Sequence, residues 1–288
     1  MTTGNSAPLP PSVPWSFAAV GPEETNLEDC RVVVVPVPYD ATTSYRGGTR
    51  EGPRAIIEAS RYLEDYDLEL EREIYQVGIY TLPELEPHVG SPEGMVERVQ
   101  SVVAPFARDG KLLAVLGGEH SITIGSVQAH VETYPDLSVL YLDAHADLRD
   151  QYMGTPFGHA SAARRAYECC PIALAGVRSL CQEEHDFIRA NNVPVWYWDP
   201  DSGHSSPDSV LESLSDTVYV SVDLDVLDPA LMPAVGTPEP GGMTSAQLLS
   251  AVRRIVSSVE LVALDVVEVS PPFDGPGAIT AEVAHRVV

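Results

Sequence analysis

Basic residues are scarce in this chain. Seventeen stand against forty-two acidic ones in 288 residues, a formal charge of −25, and Lys111 is the one lysine. A surface of that sign repels phosphate backbones, which argues against nucleic acid as a partner. It suits a cationic small molecule gathered by the protein's field, and it equally suits plain solubility of the kind a salty cytoplasm demands. Long apolar runs are missing too: none reaches the roughly 20 residues of a membrane span, so no membrane partner is expected. The four cysteines, Cys30, Cys169, Cys170 and Cys181, form no C-x-x-C pair, and no basic stretch followed by an apolar one opens the sequence. These absences predict a cytoplasmic protein with reduced, structural thiols.

The length is enough for one sizeable α/β core or two small domains. Residues 1–28 carry five prolines (Pro8, Pro10, Pro11, Pro14 and Pro22) among small polar residues. That composition predicts a tail, or an arm ordered only by a neighbour. Residues 29–288 are expected to form a single domain. From Arg31 onward, short apolar runs alternate with helix-like stretches, the signature of a parallel sheet covered on both faces. The predicted strands are Val32 to Val35, Leu112 to Leu116, Val139 to Leu142, Ile172 to Ala175, Val218 to Val222 and Leu261 to Val267. Met95, Val96, Val99, Val102, Val103 and Phe106 share one helical face, and Gly110 is placed to end that helix. A second helix opens on the capping box Thr244 and Gln247 and presents Leu248, Leu249, Val252 and Ile255.

Four of the strands run directly into polar residues at their C-terminal ends, the edge where open parallel sheets bind ligands. These are Gly117-Gly118-Glu119-His120-Ser121, Asp143-Ala144-His145-Ala146-Asp147, Ser221-Val222-Asp223-Leu224-Asp225, and Asp265-Val266-Val267-Glu268. If the segments stay extended, Asp143, His145 and Asp147 point one way, and so do Asp223 and Asp225. Carboxylates gathered there are costly to keep ionised without a cation, because desolvation and mutual repulsion both favour protonation. Asp143, Asp147, Asp223 and Asp225 carry four negative charges, and His120 and His145 add two imidazoles; two divalent ions balance the set. Oxygen-rich ligation without thiolate suits Mn²⁺ better than a closed Zn²⁺ site, with Co²⁺, Ni²⁺ and Fe²⁺ as open alternatives.

G-G-E-H-S at 117–121, D-A-H-A-D at 143–147 and S-V-D-L-D-V-L-D-P at 221–229 together resemble the ureohydrolase family, which contains arginases and agmatinases. The similarity runs from about Pro36 to the C-terminus, with further support at Gly47 to Pro53, Gly236-Thr237-Pro238, Gly241-Gly242 and Glu268. It implies a three-layer α/β/α fold with an eight-stranded parallel sheet, a dinuclear manganese centre, a homotrimer or homohexamer, and hydrolysis of a guanidino group to urea and an amine. Carried over by position, His120, Asp143, Asp147 and Asp223 bind one metal. His145, Asp143, Asp223 and Asp225 bind the other, so Asp143 and Asp223 bridge. Glu119, where many members have aspartate, is expected behind His120 as its support. Asp147 would also orient the attacking water, Glu268 would pair with the guanidinium, and His159 would protonate the leaving amine.

The stretch after Asp147, with Leu148, Arg149, Asp150, Tyr152 to Ala160, Arg164 and Arg165, looks like the agmatinase branch of bacteria and archaea. That branch includes enzymes acting on aminopropylagmatine, so the products would be putrescine or spermidine. Arginase or guanidinobutyrase activity would require one of Arg149, Arg164 and Arg165 to hold the substrate's carboxylate. Two readings from other classes stand beside these: a deacetylase-like site with one Zn²⁺, and a catalytically silent binding or assembly paralogue.

Overall fold

The computed structural model describes residues 12–68, 70–199, 208–275, 283–284 and 286–288; the start of the expected tail, His204 and His285 lie outside them. Eight strands form the main sheet: β1 Val32–Val37, β2 Ile79–Thr81, β3 Leu112–Gly117, β4 Ser138–Leu142, β5 Ile172–Val177, β6 Val195–Tyr197, β7 Thr217–Asp223 and β8 Glu260–Val267. Every pairing is parallel, in the order β2-β1-β3-β8-β7-β4-β5-β6. The helices are α1 Gly52–Ser60, α2 Pro92–Arg108, α3 Ile122–Val131, α4 Ala162–Tyr167, α5 Gln182–Asn191, α6 Asp208–Leu211 and α7 Ser245–Val256.

The sheet is apolar on both faces because its strands alternate apolar with apolar residues. Val34, Val220 and Val222 join Ile56 and Ile57 of α1 and Leu248 and Ile255 of α7 on one side. Val33, Val35 and Val139 meet Met95, Val99 and Val103 of α2, Val127 of α3, Ala163 of α4 and Ile188 of α5 on the other. Each buried aliphatic side chain contributes roughly 1.5 to 3 kcal/mol, so the sandwich is what fixes the strand ends in space. The three-layer α/β/α architecture agrees with expectation.

Helix signals act as read. Ser91 accepts the Gly94 N–H at 3.1 Å to open α2, and Thr244 and Gln247 close a reciprocal capping box on α7. Two strands were not foreseen: β2 and β6 are three residues long at the two sheet edges, too short to show a period. The expected tail also differs from composition over its second half. Phe17, Ala18 and Val20 are buried in the α1-side core, the Ala18 N–H donates to Ser60 Oγ at 2.9 Å, and the Arg61 guanidinium sits over the Trp15 ring. One inserted phenylalanine among prolines is invisible to an average over the segment.

Candidate metal centre

The four polar strand ends belong to β3, β8, β7 and β4, which are consecutive neighbours at the centre of the sheet. Their C-terminal loops therefore meet without any long excursion. The approach of β3 to the β1 loop depends on Gly118, where a Cβ would lie 1.9 Å from the Tyr39 carbonyl oxygen.

The polar groups converge on two foci. At the first, His120 Nδ1 lies 3.2 Å from Asp143 Oδ2, 3.1 Å from Asp147 Oδ2 and 3.3 Å from Asp223 Oδ2. At the second, His145 Nδ1 lies 2.8 Å from Asp225 Oδ2 and 3.6 Å from Asp143 Oδ1. Asp143 thus turns one oxygen to each focus. His120, Asp143 and Asp147 form one set of atoms mutually close enough to hold an ion, and Asp143, His145 and Asp225 form another.

The convergence does not arise from extended strands, as alternation predicted. Asp147 turns back with a φ of 49°, and Leu224–Val226 is a 3-10 turn capped by Asp223, whose Oδ1 accepts the Asp225 N–H at 2.8 Å. Left-handed backbone at a non-glycine residue costs about 1 kcal/mol or more, and Glu268, at a φ of 64°, carries the same strain.

The electrostatics call for cations. His120 Nδ1 and Asp143 Oδ2 are buried without a hydrogen bond. Burial, and then the Asp143 charge, push the Asp147 carboxyl up to about 7. Burial and then the neighbouring Asp225 and Asp143 carry Asp223 well above the carboxylate range. Burial opposes charge on both imidazoles, yet the surrounding carboxylates hold them well above their ordinary values. Divalent ions would relieve the repulsion that these acids otherwise meet by protonation, and the donor set of carboxylate oxygens and two imidazoles fits such ions.

The partner behind His120 is not Glu119. His120 Nε2 meets Ser221 Oγ at 2.9 Å, and the Ser221 hydroxyl donates to Asp265 Oδ1 at 2.6 Å. Asp265 is fully buried and accepts Thr123 and Tyr219 at 2.7 Å each on its other oxygen. Because Ser221 spends its proton on Asp265, its oxygen accepts the Nε2–H of His120, so that Nδ1 is the nitrogen whose lone pair an ion would take once the imidazole is neutral. Glu119 instead binds the Thr42 N–H and hydroxyl, both at 2.6 Å, and Ser121 Oγ at 2.5 Å. Thr42 in turn holds His159: its Oγ accepts the His159 N–H at 3.1 Å and lies 3.3 Å from Nδ1, while Nε2 lies 3.2 Å from Ser44 Oγ. Burial, then the charges of His120 and His145, lower the His159 pKa to about 4.

Glu268 is buried rather than facing water. Its Oε1 accepts the His120 N–H at 2.8 Å, and a Cβ at Gly236 would stand 2.8 Å from its Oε2, so the glycine keeps that oxygen open. Burial and then Glu119 raise its carboxyl to about 8. Thr42 and Ser44 escaped sequence reasoning, and Ser221 and Asp265, though part of the polar strand ends, were given no role there. Of the remaining described histidines, His130 is core, and His88 and His185 lie away from the site.

A three-layer α/β/α domain with paired carboxylate and imidazole groups at its central strand ends defines a class of metal-dependent hydrolases. Within that class, residues 30–288 match the arginase family, to which the chain therefore belongs. It is 40% identical to an N(1)-aminopropylagmatine ureohydrolase from Synechocystis over 258 residues, 86% of this chain and 84% of that one. It is 33% identical to an agmatinase from Bacillus subtilis, covering 94% and 93%. The agmatine ureohydrolase of Thermoplasma volcanium superposes with a TM-score of 0.83 at 33% identity, over 95% of this chain and 91% of that structure.

Proposed function

We propose that this chain hydrolyses the guanidino group of agmatine or aminopropylagmatine to urea and an amine, with two Mn²⁺ held by His120, Asp143, Asp147, Asp223, His145 and Asp225. The observation that carries the reading is the pair of foci sharing Asp143, beside a buried glutamate with one open oxygen. Two divalent ions supply, when bound, a water acidic enough to attack at neutral pH.

The protein's own groups do the rest. Asp147 accepts a hydrogen bond from the attacking water and fixes its direction. Glu268 pairs with the guanidinium and sets its carbon in line for attack. The water oxygen bonds to that carbon, the bond from carbon to the alkyl nitrogen breaks, and the departing nitrogen takes a proton. His159, steadied by Thr42 and Ser44, is the group assigned to relay to it a proton given up by the attacking water. His120, Asp143, Asp147 and Asp223 would hold one ion, and His145, Asp143, Asp223 and Asp225 the other.

Selection of an amine over a carboxylate at the substrate's far end is supported by the engagement of two of the three arginines with acidic side chains, the third, Arg149, lying over the Tyr152 ring beside His159. Arg165 pairs with Asp150 at 2.7 Å and Glu168 at 2.9 Å, and Arg164 lies over the Phe187 ring with Glu168 at 3.7 Å. Urea release with Mn²⁺ from agmatine, aminopropylagmatine, guanidinobutyrate and arginine at equal concentration tests the proposal. Burying an unpaired carboxylate costs roughly 1.5 to 3 kcal/mol, so the two amines should lead by about one to two powers of ten in kcat/KM. A lead for arginine or guanidinobutyrate would overturn the substrate choice, and no urea from any of them would favour a silent paralogue. A cytoplasmic homotrimer or homohexamer completes the proposal.

A further inference from the structure

Arg178, in the loop after β5, belongs to none of the groups assigned so far. Its guanidinium has no carboxylate partner among the described residues. Instead it donates to backbone carbonyls: Asp225 and Glu239 at 2.7 Å, Val226 at 3.1 Å, Leu227 and Pro240 at 3.2 Å, and Gly176 at 3.5 Å. Three of the six are consecutive in the turn that carries Asp225. Carbonyl dipoles converging on one point repel one another unless a cation sits between them, and a buried carbonyl left unpaired costs about 1 to 3 kcal/mol.

The two loops joined by Arg178 both bear on the second focus. The 224–227 turn aims the Asp225 carboxylate, which accepts the Ala144 N–H at 3.1 Å and Thr237 Oγ at 3.3 Å while facing His145. The 239–240 loop brings Glu239 Oε1 to 3.7 Å from His145 Nε2, on the far side of the same imidazole. At the first focus His120 rests on other supports: Ser221 and Asp265 behind its ring, and Glu268 on its backbone. None of these touches Arg178.

We propose that Arg178 is a positioning residue that holds the Asp225 and His145 half of the centre in ligand geometry, so that its loss weakens one of the two metal sites and spares the other. This rests on the two-ion reading above. The charge alone is not what the geometry uses: a planar fork with five N–H groups reaches both loops, and an ammonium in its place reaches only a few of the carbonyls.

Wild type, R178M and R178K are compared as full chains. Mn²⁺ titration calorimetry reads the two affinities, and hydrogen exchange on the metal-free proteins reads the backbone around 224–228 and 239–243. The proposal expects R178M to weaken the second Mn²⁺ by about 10- to 100-fold while the first changes by less than about twofold, with faster exchange confined to the two loops. R178K should fall between, and if R178M does not fold, R178K carries the test with the same signature. Two affinities and an exchange pattern equal to wild type in a folded variant would overturn the proposal, as would equal weakening of both sites. If wild type itself takes up fewer than two ions, the two-ion reading fails separately, and exchange in the metal-free proteins still decides whether Arg178 clamps the loops.

Discussion

At the scale of single residues, the site is built by giving each acid a different surrounding. Asp143 is held below the ordinary carboxylate range even though burial opposes its charge, because both imidazoles face it, whereas Glu268, buried and close to Glu119, is raised to about 8. A carboxyl in that state would gain its charge when a guanidinium arrives, which is the basis of the role proposed for Glu268. Glu268→Gln keeps the shape and the acceptor for the His120 N–H but removes the charge. Loss of a desolvated ion pair costs roughly 3 to 5 kcal/mol, so kcat/KM should fall by about two to four powers of ten while two equivalents of metal remain bound. Elemental analysis beside steady-state kinetics checks both halves; normal turnover with full metal would remove Glu268 from its assigned role.

At the scale of elements, the six strands of five or more residues and the two amphipathic helices were legible because their period reports burial directly. β2 and β6 were not, being three residues long and at the edges. The candidate acids were legible because each follows a buried strand; the means by which they converge was not. Turns at Asp147 and at Leu224–Val226 aim them, and a left-handed φ or a side-chain cap leaves no periodic trace in the sequence. The same limit hid the Ser221 and Asp265 support of His120, since a hydrogen bond 44 residues apart is a property of strand order. His130 is fully buried, donates through Nδ1 to Ser126 O at 2.7 Å, and leaves Nε2 without a partner. Burial lowers its pKa to about 4. The unfolded chain binds this proton below about pH 6.5 and the folded one resists until about 4, so the contribution is complete above 6.5 and is lost as pH falls through that window. Its size is about 3 kcal/mol. Chemical denaturation of wild type and His130→Phe between pH 7.5 and 4.5 measures it: the variant should lose less stability across the range, and parallel curves would show that the imidazole is already protonated in the fold.

At the scale of the whole molecule, the surplus of acidic groups would act on the fold and on a cationic substrate through one field. A charge of −25 on 288 residues repels itself, and salt shortens the reach of that repulsion from about 10 Å at 0.1 M to about 3 Å at 1 M. Thermal stability should therefore rise between 0.05 and 1 M potassium chloride. The same screening should separate substrates by their net charge. Agmatine carries two positive charges near neutral pH and is drawn by the field over its whole approach; guanidinobutyrate carries one of each sign and is nearly indifferent to it. Both present the same guanidinium, so contacts at the reacting end cancel in the comparison. Raising the salt over that range should increase KM for agmatine by roughly threefold or more and leave KM for guanidinobutyrate within experimental scatter, with kcat for each little changed. Steady-state kinetics on both substrates along one salt series decides it. A common response would place the salt effect on the protein's stability or metal content alone, and an agmatine KM independent of salt would mean that the acidic surface serves solubility and has no part in gathering the substrate.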